Sequence, residues 1–350
     1  MKTPLAFSLL QPFNVERGLK MKLIYAWAVV GLLSLSSAAH AASTFVKEID
    51  LTPHLRPESI TKAWRGKYYV SIQGALGDTT TQDGEIVQVD LTTGVVTPFV
   101  AAGSGLVNPR GLAFAGDFLV VTDTTNVWKI DETGRVTPAA DLAAFPFPPV
   151  FFNDAAPVSG ERAAYVSEMG PGRNVQRDPA GFLWPTDSPQ AEAIPTASRV
   201  YRISLRTGRV TNVFTPSRKL LVMNGIAEPA RRGNGSHGNR ELLAVDFFHG
   251  SVVHVDIARD TKDIIATGPF RGADGIEQGS DGTIFVSSFE NGRVWRMDRD
   301  GENVVKLFDV ADEPGRVARQ SLADFAVDER AGLLYVPDTR HSRIVVLKTK

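Results

Sequence analysis

The stretch DGIEQGSDGTIFVSSFENGRVWRMDRDG, Asp274 to Gly301, decides the fold. It reads as a polar start, two apolar strands around a turn, and a Gly-marked exit. Weaker copies begin at Glu58, Arg110, Asn153, Asn224 and Asp324. Repetition at a period of roughly 40–50 residues predicts an all-β chain, a six-bladed β-propeller with one blade per copy. A propeller sets the first residues of its blades around a central channel. Amides and carboxylates converging there suit a hard cation.

Working outward, the second strand recurs as KYYVSI, DFLVVTD, AAYVSEM, ELLAVDF, TIFVSSF and LLYVPD. The third recurs as EIVQVD, NVWKID, RVYRIS, SVVHVD, RVWRMD and RIVVLK. Alternation of this kind marks half-buried antiparallel strands. The last copy ends at Lys350 without a fourth strand, while TFVKEIDL, Thr44 to Leu51, has no blade of its own. It is expected to close the ring by pairing with the strand containing Arg343–Leu347, which reduces exposed sheet edge.

The chain has 350 residues, 43% of them hydrophobic, enough for a large core. A formal net charge of -1 with no basic run argues against nucleic-acid binding. The absence of cysteine excludes disulfides and thiolate chemistry. Residues 1–41 read as an N-terminal extension with a secretory signal, leaving 42–350 as the propeller. Lys20 and Lys22 precede the apolar run Leu23–Ser37, which is short for a membrane span. Ala39 and Ala41 give a small-x-small cut site before Ala42. This predicts a periplasmic or secreted protein with no stable membrane span after cleavage; an uncleaved anchor is the alternative. Either Met1 or Met21 serves as the start.

Loops entering each first strand share a rim with loops between second and third strands. The longest insertion, Pro171 to Ser198, falls on that rim and reads as a lid, with Phe182, Leu183 and Trp184 as its apolar tip. The apolar run FPFPPVFF, Phe145 to Phe152, leads into Asn153 on the same side. The loop Ala230–Asn239 belongs to the opposite rim and reads as solvated.

Taken together, these motifs resemble the family of senescence marker protein, gluconolactonase and luciferin-regenerating enzyme. The wider group includes diisopropyl fluorophosphatase and the paraoxonases. The resemblance covers about residues 44–350 and rests on Glu58 in RPESI, Asn153 in FFNDAA, Asn224 in VMNGIA and Asp274 in GADGIE. It implies a six-bladed propeller whose channel holds one divalent cation on these four residues. Calcium is the first choice, with magnesium, manganese and zinc as alternatives. Chemistry agrees: Glu58 and Asp274 balance two charges, and Asn153 and Asn224 add neutral oxygens. Asp324 is a weaker fifth candidate.

Such an ion polarises an ester, lactone or phosphoryl oxygen. Glu58 and Asp274 are therefore also the catalytic candidates. Arg110, Phe152, Trp184, His249 and His341 are candidates for contact with a small-molecule substrate. Sugar lactonases of the family carry Gly-Pro, Arg and Gly where this chain has Ser59-Ile60, Phe151 and Ala155. Those departures and the aromatics suggest a more apolar lactone or ester. A secreted metal-dependent hydrolase is the first reading. The alternative is a non-catalytic binding propeller with a structural ion.

Overall fold

Short runs of alternating apolar and polar residues pair into antiparallel sheets, and here they do so six times over. The structure is a computed structural model describing residues 44–75, 80–230 and 240–350. The expected signal segment and cut site, and all of the Ala230–Asn239 loop after its first residue, lie outside the described residues. Among the described residues the strands form six four-stranded sheets. Blade one comprises Pro57–Lys62, Tyr68–Ile72, Glu85–Val89 and Val96–Val100. Blades two to five begin with inner strands Pro109–Ala115, Phe152–Pro157, Met223–Ala227 and Ala273–Gln278.

Blade six takes Ala326–Asp328, Leu333–Asp338 and Arg343–Lys348 from the C-terminus and Phe45–Asp50 from the N-terminus. The closing strand pairs antiparallel with Arg343–Lys348, Asp50 opposite Arg343 and Phe45 opposite Leu347. The alternation in Thr44–Leu51 predicts this closure. The buried Arg343 guanidinium donates to Glu48 on the closing strand and to Asp338 and Glu313 on the C-terminal side. The seam is therefore held by ion pairs as well as by the ladder.

The cores lie between blades. Leu119 and Val121 pack with Tyr69 and Ile86 of blade one. Val120, between them in sequence, packs with Phe152, Val166 and Tyr201 of blade three. One strand thus feeds two cores because its side chains alternate. Each such side chain contributes about 1.5–3 kcal/mol when fully buried. Among the described residues no helix is long and apolar enough to cross a membrane.

One irregularity repeats in blades one to five and places the site. In blade one, the pairs Pro57–Ile72 and Ile60–Val70 leave Glu58 and Ser59 facing Ser71 alone. The same slip sets off Arg110–Gly111, Asn153–Asp154, Asn224–Gly225 and Asp274–Gly275. Two residues against one is a β-bulge, which bends the strand and re-aims a side chain. Second-strand hydroxyls make up the lost ladder bonds. Ser71, Ser167 and Ser287 Oγ accept from the amides of Ser59, Asp154 and Gly275 at 3.0, 2.9 and 2.9 Å. Ser71, Thr122 and Ser287 then donate to carbonyls of the next blade, at Arg110, Asn153 and Ala323. A Cβ on Gly225 would meet Asp274 O at 2.2 Å, and one on Gly111 would meet Asp154 Cα at 2.4 Å. These glycines are there because inner strands nearly touch at the axis. They do not mark turns.

Candidate metal centre

Glu58, Asn153, Asn224 and Asp274 are each the first residue of a bulge pair, and the structure brings all four together. None is more than 5% exposed. They line one cavity of about 190 Å³. Three of their oxygens, Glu58 Oε2, Asn224 Oδ1 and Asp274 Oδ1, are buried with no hydrogen-bond partner among the described residues. Asn224 Nδ2 donates to Asp274 Oδ2 at 3.0 Å, so the amide oxygen is the atom left over. Asn153 Nδ2 is directed at Met169 Sδ, 3.3 Å away. Leaving a buried polar atom unpaired costs about 1–3 kcal/mol, and native proteins leave few.

Burial pushes the Glu58 carboxyl up to about 7; the Arg110 charge opposes this and the Asp324 charge adds to it. Asp274 is also raised well above the usual carboxylate range, by burial first and then by the Glu58 and Asp324 charges. In both, burial of the charged form comes first, and the Arg110 charge offsets it only in part. A cation among the orphaned oxygens would supply the remainder. Two carboxylates and two amide oxygens form a hard donor set, so the residues present fit calcium or a similar divalent ion. Among the described residues no group of three or more His, Cys, Asp or Glu side chains could hold a metal. The fit therefore depends on the two asparagines.

Arg110 occupies the blade-two position of the same ring. Its NH1 lies 3.5 Å from Glu58 Oε1, and its guanidinium sits 4.4 Å over the Phe151 ring. Asp324, at the start of blade six, lies beneath the set, where its Oδ2 accepts a hydrogen bond from Ser59 Oγ.

The insertion Pro171–Ser198 covers this cavity, as its place in the topology predicts. It holds two short helices, Gly172–Val175 and Pro189–Glu192. Leu183, Ala191 and Ile194 pack on Phe151, Met169, Leu221 and Phe248. Arg218 pins the second helix by bonding Ala191, Glu192 and Ile194 carbonyls. The part reaching the cavity is not the expected apolar tip. Phe182 is 53% exposed and lies under the Arg319 guanidinium, and the Trp184 carbonyl accepts from Arg271. Arg173, Gln176 and Arg177 line the cavity instead.

Four expected contact residues lie outside the cavity. Phe152 is fully buried in the interblade core, its ring 5.1 Å from that of Phe145. Strand alternation sends Phe152 inward, and the cavity receives Phe151 in its place. Trp184 is held at the lid by its indole bond to Val175 O. His249 and His341 turn back onto buried carboxylates, Asp246 at 3.2 Å and Asp338 at 2.8 Å. Those carboxylates shape loops: Asp246 accepts from Val222 N, and Glu168, its counterpart in blade three, accepts from the Val150 and Phe151 amides. Sequence reading missed the lid arginines. Their one available signal was three polar or basic residues, Arg173, Gln176 and Arg177, spaced on the first turn of the insertion.

No protein-family model matches the chain, and no curated protein matches it. Solved structures share its fold. A regucalcin from Agrobacterium tumefaciens, described as a calcium-binding protein, is 20% identical; the match covers 87% of this chain and 93% of that one, with a TM-score of 0.59. A gluconolactonase from Xanthomonas campestris is 15% identical over 86% of this chain and 89% of its own, with a TM-score of 0.57.

Proposed function

We propose that this chain is an exported, metal-dependent hydrolase of lactones or related esters. The observation that carries the reading is the trio of buried, unpartnered oxygens on Glu58, Asn224 and Asp274 beneath a lidded cavity. The calcium-binding and gluconolactonase descriptions of the two structural neighbours point the same way. A hard divalent cation bound there supplies Lewis acidity toward a carbonyl or phosphoryl oxygen. Glu58, Asn153, Asn224 and Asp274 would hold it. Water adds to the carbonyl carbon, the ester or ring C–O bond breaks, and an acid and an alcohol group result. In this reading Glu58 or Asp274 would take the proton of that water.

The test uses purified protein stripped with chelator and reloaded with calcium. Lactones, aryl esters and phosphotriesters are offered to both forms. Turnover should vanish on stripping and return on reloading. Stripping should also lower the melting temperature, since a ligand at a hundredfold its Kd stabilises the native state by about 2.7 kcal/mol. Background turnover across the panel with the ion bound would overturn the reading and leave a binding propeller.

A further inference from the structure

The lid delivers a positive charge that the protein itself leaves uncommitted. Arg177 pairs with Glu290 at 2.8 Å, and Arg110 leans on Glu58. Among the described residues Arg173 is in no ion pair. Its guanidinium is stacked 4.2 Å over Phe151, the ring on which Arg110 also lies. Two guanidiniums thus flank one aromatic ring at the mouth of the cavity. Desolvation, then the charges of Arg110 and Arg177, lowers the Arg173 pKa to about 10, still charged at neutral pH. Next to it, Gln176 is 3% exposed and lines the cavity. Its Nε2 donates to Arg173 O at 3.2 Å, which leaves Oε1 as the acceptor, and that atom is buried without a partner. Arg110 Nε is likewise buried and unpartnered.

With a divalent cation, Arg110 and Arg173 set against Glu58, Asp274 and the nearby Asp324, the site is left net positive. A neutral apolar substrate would bury that charge uncompensated, which is costly. A carboxylate would meet it in charge-assisted hydrogen bonds. The cavity is small, about 190 Å³ against the roughly 300–1,000 Å³ of pockets for drug-sized ligands, so the molecule is compact.

We propose that the substrate is a compact lactone or ester bearing a carboxylate held by Arg173 of the lid, with a hydroxyl or N–H group donating to Gln176 Oε1. This rests on the hydrolase reading for its chemistry but not for its geometry. The family pattern places an arginine two residues before the blade-three asparagine; here Phe151 holds that position. The ring serves as the platform on which a guanidinium from the insertion is stacked.

Two arms test it. In the first, γ-butyrolactone bearing a ring carboxylate is compared with its carboxamide, on ion-loaded protein. The carboxylate should be preferred, and Arg173→Gln should raise its KM by about tenfold to a hundredfold while leaving the carboxamide nearly unchanged. Arg173→Lys should restore part of the preference. Equal turnover of the two lactones, or an equal loss for both in the variant, overturns the proposal. In the second arm, calorimetry follows binding of tetrahydrofuran carboxylate, which cannot be hydrolysed. Weaker binding to Arg173→Gln at unchanged calcium affinity supports the carboxylate subsite even if no lactone is turned over. Equal binding to both proteins places the carboxylate on the ion alone and overturns it.

Discussion

The two mouths of the channel are built from the same five bulged inner strands, yet they treat their carboxylates in opposite ways. At the lidded mouth, Glu58 and Asp274 each keep a buried oxygen without a partner, among three arginines. At the other mouth, farther along the same strands, Asp154, Asp324, Glu228 and Glu329 line a cavity of about 410 Å³. There Asp154 accepts from the amides of Ala155 and Ile226, Asp324 from Ser59, Glu228 from Ser159 N, and Glu329 from Ser280 N. Acidic residues alone do not make a site. What separates the ends is satisfaction: protein donors answer four of the five carboxylates of the other mouth, all but Glu277, whereas Glu58 and Asp274 beneath the lid keep oxygens that no described group answers.

The largest effect should come from breaking this contrast at its centre. Asp274→Ala removes one of the two charges, and one of the oxygens, proposed to hold the ion. Calcium affinity by calorimetry should fall by about a hundredfold or more, since charge count tunes such sites. Asp324→Asn keeps an acceptor for Ser59 and should cost less than about tenfold. Comparable losses in the two variants would place the ion deeper in the channel than the bulge ring.

The bulge itself can be attacked next. A Cβ at Gly225 meets Asp274 O at 2.2 Å, backbone that cannot move without shifting the ion-facing side chain. Gly225→Ala should destabilise by about 1–3 kcal/mol and weaken calcium binding as well. Gly268→Ala, where the nearest atom is a Phe270 ring carbon at 3.6 Å, should be neutral or slightly stabilising. Urea unfolding of both variants decides it; equal stability would mean that the inner strands have slack at the axis.

Much of this architecture was legible because alternation is a local signal. KYYVSI and RVWRMD announce strands without reference to anything distant, and Thr44–Leu51 was conspicuous as a strand lacking a blade. The convergence of Glu58, Asn153, Asn224 and Asp274 followed from the repeat. The bulges were hidden, because a register slip exists only relative to a partner strand. Phe152 and Phe151 differ by one position, and which one faces the cavity depends on that register. The lid was beyond local reading: Arg173 reaches Phe151 through the path of an irregular insertion, and no periodicity encodes that path. His249 and His341 were placed on the correct rim, but their attachment to Asp246 and Asp338 turns them away from the cavity.

The smallest effect is also the one that best separates the two mouths. Glu277 sits at the other mouth, partly buried, where desolvation and then the Asp324 charge raise its pKa to about 8 from an ordinary 4.5. The folded protein therefore holds a proton on Glu277 that the unfolded chain releases near its ordinary value. Across the window from about 4.5 to about 8 the native state binds more protons, so this group's contribution to stability declines as pH rises. Glu277→Gln removes the titration. The melting temperature of the variant, relative to wild type, should rise between acidic buffer and mildly alkaline buffer. Because Glu277 is not among the proposed ion ligands, that rise should be the same in chelator and in saturating calcium. A gap that does not change with pH would mean that solvent already relieves the burial of Glu277. A gap that appears only in chelator would show that the ion reaches the second mouth, and the division between the two ends would no longer hold.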